Sequence, residues 1–392
     1  MKRSVLVLSL LVPAALFAQD RDTSLPKEQQ VAPASVQKDA LLARNDLGVS
    51  VEPGTTGGAE SAFAQEPAST PKKAKTSQAT KPSDETKRPK TEGSMVGYID
   101  NAIVGTHFRV RLDAGFNNSA PDLAEFFYAK CGCYKGLATA IPQAFDPNAP
   151  GPGPGVPKSL NFQQLYLNAE FSPHRRFSAF VEVPFRWIQP NSFLPIPPFP
   201  PFSSQGGISD IRAGFKVAVL ASYQRYLTFQ LKAYFPSGDP SRGLGTNHYS
   251  IEPTLLYYQK LSDRASFEAE MGDWHPIGRS AGVPVSGSEK FAGDVFFYGV
   301  GPSYELYRGE SVRFAPVVEL VGWHVLGGFE TMPGGPVFGA ARETGGINIV
   351  NIKVGARTSF GNRNSVYAGY GHALSNAEWY TDILRIEYRF SF

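Results

Sequence analysis

The sequence predicts an all-β protein: a transmembrane, antiparallel, up-and-down β-barrel of about 12 strands, preceded by a disordered N-terminal tail. Three observations predict it. Runs in which apolar and polar residues alternate recur between Thr106 and Phe392, and a strand sends successive side chains to opposite faces. The polar members of these runs are largely charged, which suits a wet lumen and not a lipid-facing wall. The connections alternate between short and long, as tight turns and longer loops do on the two sides of a membrane barrel. The mean hydropathy of −0.21 agrees, because only every second strand residue of such a barrel needs to be apolar. Ten or fourteen strands, or a soluble secreted β protein, are the alternatives.

Taken in order, residues 1–18 carry Lys2 and Arg3, an apolar run from Val5 to Phe17, and then Ala18-Gln19-Asp20. This reads as a secretory signal peptide, since the run is shorter than the roughly 20 residues of a spanning helix. An N-terminal anchor is the other reading. Residues 19–95 are rich in Pro, Ser, Thr, Ala and Lys, with Phe63 their only aromatic. Such a segment buries too little apolar surface to offset its ordering entropy. It is expected to be a disordered periplasmic tail: a solvated tether, or a contact with an anionic polymer such as the cell wall through Lys72, Lys73, Lys75, Lys81, Lys87, Arg88 and Lys90. Ser94 to Gly105 is more apolar and is expected to dock at the barrel entrance. The barrel itself is expected over 96–392.

The first strand reads from Phe108, Val110, Leu112, Ala114 and Phe116, alternating with Arg109, Arg111, Asp113 and Gly115. Similar runs centre on Leu165–Phe171, Phe177–Trp187, Ala213–Val219, Leu227–Phe235, Ile251–Tyr258 and Phe267–Met271. Later runs are less regular. In Asp294–Tyr304 the apolar face is read as Val295, Phe297 and Gly299, opposite Asp294, Tyr298 and Tyr304. Phe314–Gly322, Val350–Arg357 and Val366–Gly371 follow. Pro184, Pro253, Pro302 and Pro316 fall inside these strands; each removes a ladder hydrogen bond, and bulges are how a barrel could absorb them. In the last run Leu384, Ile386, Tyr388, Phe390 and Phe392 oppose Arg385, Glu387, Arg389 and Ser391. An aromatic end at strand spacing resembles the C-terminal signal of bacterial outer-membrane barrels, which implies that location and contact with outer-membrane lipid. The link near Ala373–Asn376 is read as short.

The inward face is expected to carry Arg109, Arg111, Arg186, Arg212, Lys216, Lys232, Arg313, Lys353, Arg357, Arg385 and Arg389. Against these eleven cations stand ten anions: Asp113, Glu170, Glu182, Asp210, Glu252, Glu268, Glu270, Asp294, Glu319 and Glu387. Near balance suggests pairing across the lumen, either as rigid filling of a narrow barrel or as a polar route for solutes. The Pro-rich stretches at Pro147–Pro154 and Leu194–Phe202 favour stiff, extended backbone, and Phe193, Phe199 and Phe202 are candidate mouth aromatics. Cys131 and Cys133, the only cysteines, could form a strained loop disulfide or remain thiols; two ligands alone are a weak metal signal. The six histidines have no metalloprotease spacing and sit beside no G-x-S-x-G turn. Neither a metal nor a cofactor is expected, and a net charge of +3 gives no reason to expect nucleic acid.

Gly207-Ile208-Ser209-Asp210-Ile211-Arg212-Ala213-Gly214-Phe215-Lys216 is similar to the G-x-x-D-x-x-x-G-x-K strand of one barrel family. Phe235-Pro236-Ser237-Gly238-Asp239 resembles its strand end. Gly245-Thr246-Asn247 through Pro253, and Gly293-Asp294-Val295 with Tyr298-Gly299, resemble its next two signatures. That family is the outer-membrane transporter-like barrels named for the meta-cleavage pathway of phenol degradation. The resemblance spans roughly 205–392 and implies an outer-membrane barrel of transport function without catalytic residues. The expectation is therefore a channel for small, aromatic or apolar, solutes. A closed structural or surface-binding barrel acting through its outer loops is the alternative. A membrane-embedded hydrolase using His372 and Ser375 is a third.

Overall fold

The computed structural model describes residues 93–133, 146, 148–153, 155–194, 202–278, 280, 290–332 and 341–392. The expected signal peptide, the expected tail up to residue 92 and Phe199 lie outside the described residues.

Period-two alternation becomes a closed ring. Its strands are β1 (His107–Asn118), β2 (Val156–His174), β3 (Phe177–Leu194), the broken strand β4 (Gln205–Ile208) with β5 (Ile211–Ala221), β6 (Arg225–Phe235), β7 (Tyr249–Lys260), β8 (Ala265–Ile277) and β9 (Val295–Tyr304). After the two-residue β10 (Tyr307–Arg308) come β11 (Val312–Val325), the loop hairpin β12 (Phe329–Thr331) and β13 (Ala341–Glu343), and then β14 (Asn348–Phe360), β15 (Asn364–Ala373) and β16 (Asp382–Ser391). Every barrel strand pairs antiparallel with its neighbours in the chain, and β16 pairs with β1 from His107↔Ser391 to Phe116↔Asp382. Counting β4 and β5 as one strand gives twelve. Closure leaves no sheet edge unpaired in lipid, which membrane strands require.

Burial is inverted relative to a soluble protein. Along β16, Leu384, Ile386 and Tyr388 are exposed on the outside while Arg385, Glu387 and Arg389 are buried within. Leu112, Val181, Trp187, Leu255, Met271 and Leu320 continue the outer apolar belt on other strands. Phe392 N–H donates to Thr106 C=O at 3.1 Å, so the end of the chain closes the seam at the short-turn side.

The strand prolines sit where the ladder is interrupted. Pro184 faces the gap between β4 and β5, where its carbonyl accepts from Ser209 N–H at 2.8 Å. Pro253 and Pro302 lie at steps where pairing to β8 and β11 respectively is skipped, and Pro316 lies beyond the end of the β9 ladder. A bulge at Val219 shifts the register between β5 and β6.

Two sequence expectations are corrected. In β9 the phase is reversed: Val295 and Gly299 point inward and are buried, whereas Phe296, Val300 and Tyr304 are exposed outside. The cause is the scarcity of charge in that run; glycine, proline and tyrosine do not by themselves declare a face. The connection from β15 to β16 covers residues 374–381 and is longer than expected, which lets it deliver Trp379 and Tyr380 to the interior.

Ile386→Arg, near the middle of β16 on the lipid face, should destabilise the barrel by about 2–4 kcal/mol in lipid vesicles, whereas Phe392→Arg at the strand end should cost about 0–1 kcal/mol. Urea midpoints of folding in vesicles measure both; equal midpoints would contradict the inside–outside assignment.

Candidate functional site: a threaded lumen beneath an aromatic chamber

Ser94–Gly105 does not stop at the barrel entrance, as the sequence suggested, but runs inside the lumen and returns to β1. It has no regular secondary structure, so its backbone groups need partners from the wall. Wall carboxylates take its N–H groups. Glu319 accepts from Gly97 at 3.1 Å, Tyr98 at 2.8 Å and Ile99 at 2.9 Å. Glu268 accepts from Met95 at 2.9 Å, and Glu270 from Asp100 at 2.9 Å. Wall cations and a hydroxyl take its carbonyls. Arg357 donates to Val96 at 2.8 Å, Arg385 to Gly97 at 2.6 Å, Lys216 to Asn101 at 3.0 Å and Thr228 to Ala102 at 2.6 Å.

The wall is also shaped for this segment. A Cβ on Gly301 would meet Val96 at 2.7 Å, and one on Gly299 would meet Ile99 at 3.0 Å. Gly97 lies against Tyr367, and any side chain there would run into that ring. Tyr367 in turn donates to Glu319 at 3.1 Å.

The expected lumen residues lie on the inner wall except Asp294, which the reversed phase of β9 turns to the outside, where it pairs with the half-exposed His275. Arg109, Arg111 and Arg212 converge on Glu182 at 3.2, 3.9 and 3.0 Å. Asp113 takes two bonds of 2.6 Å from Arg385. Glu387 pairs with Arg357 at 2.9 Å and Arg389 at 3.0 Å. Lys232 bridges Glu252 at 2.6 Å and Asp100 at 3.1 Å. Lys353 donates to Tyr380 Oη at 2.5 Å and lies over the Tyr98 ring. Arg186 is set apart from these networks, higher in the barrel.

Above the threaded segment is a cavity of about 210 Å³. The sequence reading missed its aromatic walls: Phe162, Tyr166, Trp274, Trp323, Trp379 and Tyr380 come from strands and loops far apart in the chain. Its ceiling is the β1–β2 loop, folded into the mouth. Phe126 meets Trp274 edge-on at 5.1 Å and lies at 4.8 Å from Trp379. Phe127 packs on Phe162 at 4.9 Å, and Arg186 stacks over Phe127 at 4.0 Å while donating to its carbonyl at 2.6 Å. The Phe126-Phe127-Tyr128 run beside two acids was the available sequence signal. Of the candidate mouth aromatics, Phe202 has a described side chain and Phe193 a described backbone. Phe202 is half-buried against the aromatic cluster, and Phe193 pairs by its backbone with Pro157 at the end of β3.

The ceiling loop is held by two buried carboxylates. Asp122 accepts from Cys131 N–H at 3.1 Å and from Thr331 Oγ1 at 2.5 Å, tying the loop to β12. Glu125 accepts from Lys130 N–H at 2.8 Å and from Ser280 N–H at 3.4 Å, with His248 Nε2 at 3.6 Å. Ala124 and Glu125 both adopt positive φ, 52° and 54°, a conformation non-glycine residues hold only when their surroundings fix it. Burial pushes the Asp122 carboxyl up to about 6 and the Glu125 carboxyl up to about 7, against the hydrogen bonds that lower them. Cys131 and Cys133 lie with their Cα atoms 5.2 Å apart, within reach of a disulfide, and Gly151 and Gly153 let the Pro-Gly stretch approach the 129–133 backbone closely.

The glycine- and aspartate-bearing motifs also meet here. Asp210 accepts from Gly238 N–H at 3.0 Å, Thr246 N–H at 2.8 Å and Thr246 Oγ1 at 3.0 Å, and a Cβ on Gly245 would press on its carboxylate at 2.5 Å. The motif is thus a cap that fixes the β6–β7 loop beside the chamber. At the outer rim, ligand atoms of Asp273, His275 and Asp294 lie within 4.8 Å of one another; among the described residues no second feature there points to a cation.

The family model described as "Putative MetA-pathway of phenol degradation" matches residues 165–272, the family whose motifs the sequence resembles. No curated protein matches the chain. Among solved structures, an outer membrane channel from Pseudomonas putida F1 is 13% identical, with a TM-score of 0.43 over 80% of this chain and 100% of that one. The beta domain of the Bordetella autotransporter BrkA is 12% identical, with a TM-score of 0.41 over 74% and 100%. The NanC porin is 8% identical, with a TM-score of 0.38 over 72% and 100%. The closed barrel and its apolar belt place the chain in a bacterial outer membrane.

Removing the charge at Glu319 should loosen the threaded segment, since hydrogen bonds to a charged group contribute about 1.5–3 kcal/mol each. In a Val96→Cys background, Glu319→Gln should raise labelling by a membrane-impermeant maleimide at least several-fold; unchanged labelling would contradict the role of the carboxylate. Because the carboxyls of Asp122 and Glu125 are raised in the docked loop, the docked form binds more protons than the free one. Its stability is full below the ordinary carboxylate range and falls as pH rises from about 4 through about 6 and 7. Iodide quenching of tryptophan should therefore increase between pH 5 and pH 8, and Glu125→Gln should flatten that rise.

Proposed function

We propose that this barrel is a channel for small aromatic or apolar solutes, with the chamber as the capture site and Ser94–Gly105 as the gate. The observation that carries the reading is the aromatic cavity of about 210 Å³ directly above a segment held by wall side chains. Small-molecule sites are typically such apolar concavities with a few placed polar groups. A strand of the barrel could leave only by breaking a continuous backbone ladder. The threaded segment is held instead by separate side-chain contacts, many of whose wall partners have ion-pair partners of their own: Arg357 has Glu387, and Arg385 has Asp113. In this reading the residues before 93 form the periplasmic tail from which the gate is drawn.

A second reading, a closed barrel acting through its outer loops, is supported by the clasp of the β1–β2 loop to β12 and to Ser280. The hydrolase reading finds less support. His372 bonds to Asp382 at 2.8 Å, while Ser375 Oγ donates to Ala377 C=O at 2.7 Å and accepts from Val350 N–H at 2.9 Å. The serine and histidine are thus each engaged elsewhere, and the reading is non-enzymatic.

The test is conductance and solute uptake by the full chain in planar bilayers and proteoliposomes. Gly97→Val, which forces the segment off Tyr367, should raise conductance several-fold over the native protein. If the folded variant and the native protein are equally silent, the channel reading fails and the loop-binding one gains.

A further inference from the structure

The chamber is charged unevenly. Arg186, Arg212 and Arg385 line it, against Asp113 and Asp210. Arg385 is matched by Asp113 at 2.6 Å and Arg212 by Glu182 at 3.0 Å, and Asp210 is occupied by the donors of Gly238 and Thr246. Arg186 is different. It is 5% exposed, and its acceptors are neutral: the carbonyls of Phe127 at 2.6 Å and Gly243 at 3.3 Å. With the Gln164 amide turned so that its oxygen faces the guanidinium, that oxygen accepts from Nε at 2.8 Å and Nη2 at 2.9 Å. No ion pair among the described residues includes Arg186. A guanidinium has five N–H donors; these contacts take four and leave one on Nη2, in a side chain that lines the chamber. Neutral dipoles solvate a buried cation but do not cancel its charge, and an enclosed, low-dielectric site strengthens its pull on an anion.

We infer that the chamber selects small aromatic carboxylates, the ring lying among Phe126, Phe162, Trp274 and Trp379 and the carboxylate on Arg186. A dry cavity of about 150 Å³ takes a benzene, so about 210 Å³ suits one ring with a single small acidic substituent. The remaining Nη2 hydrogen offers one carboxylate oxygen a charge-assisted hydrogen bond, roughly twice as strong as a neutral one. This names the solute class for the site proposed above and rests on that reading for its role in transport, whereas binding itself is measurable without flux.

Three of the four tryptophans, Trp274, Trp323 and Trp379, line the chamber, and Trp187 is exposed on the outer face. Tryptophan emission of the detergent-solubilised full chain carrying Trp187→Phe therefore reports on the cavity. Benzoate, benzamide and benzylamine, similar in size and differing in charge, are titrated at pH 7.5. Benzoate should quench saturably and bind at least tenfold more tightly than benzamide, with benzylamine weakest. Arg186→Gln should abolish the benzoate preference and leave benzamide binding in place. Because Arg186 also holds the ceiling, Arg186→Lys is the second variant; where the Gln variant loses benzamide too, retention of a benzoate preference by the Lys variant supports the inference and its loss overturns it. Equal affinities, a preference for benzylamine, or no saturable quenching in the protein with Arg186 intact would each overturn it. Benzoate binding without flux would sink the channel reading and leave this one standing; flux without benzoate preference would do the reverse.

Discussion

The Glu319 carboxylate, accepting from three successive backbone amides of an unstructured segment, is the interaction on which the rest of the structure depends. Inside a membrane protein, irregular backbone is tolerated only where protein or enclosed water satisfies its polar groups. Here the barrel supplies that satisfaction from side chains. Alternate positions of its strands carry carboxylates for N–H groups and cations for carbonyls, and the same charges neutralise one another around the segment. The near balance of inward charge follows from this division. The glycines opposite Val96 and Ile99 provide the volume, so wall and segment are complementary in both charge and shape.

The upper half of the lumen is organised differently. There the interior is aromatic, and the polar work is done by loop caps: Asp210 for the β6–β7 loop, Asp122 and Glu125 for the β1–β2 loop. The positive φ values at Ala124 and Glu125 mark where the chain is bent to bring Phe126 and Phe127 over the cavity. Stapling by separate, buried carboxylates makes the ceiling dependent on protonation, in contrast to the barrel wall, whose backbone ladder is indifferent to pH. The structure therefore combines a rigid cylinder with two inserts, one from each side, both held by side chains.

The cylinder was legible in the sequence because it depends on a local rule. In β16 or β1 the identity of every second residue announces its face, and a charged residue on the wrong face would carry a penalty. The rule weakened where charge was sparse, as in β9, whose glycines, tyrosines and prolines are compatible with either phase. The threaded segment was visible only as an apolar stretch ahead of β1. Its partners, Glu268, Glu319, Arg357 and Arg385, lie more than 170 residues away, a separation no local pattern encodes. The chamber was illegible for the same reason, since its rings come from loops and strand ends that closure alone brings together. In the sequence Arg186 is one lumen cation among eleven; that no carboxylate among the described residues pairs with it emerges only in three dimensions.

Everything inside the lumen turns on Met95–Asp100 being hydrogen-bonded within the barrel. Residue-resolved hydrogen exchange of the full chain in lipid nanodiscs tests it. Slow exchange of the Met95, Gly97, Tyr98, Ile99 and Asp100 amides, comparable to that of amides in β11 and β16, is the predicted result. Exchange of those amides at the rate of an unstructured peptide, with the barrel strands protected, would contradict it.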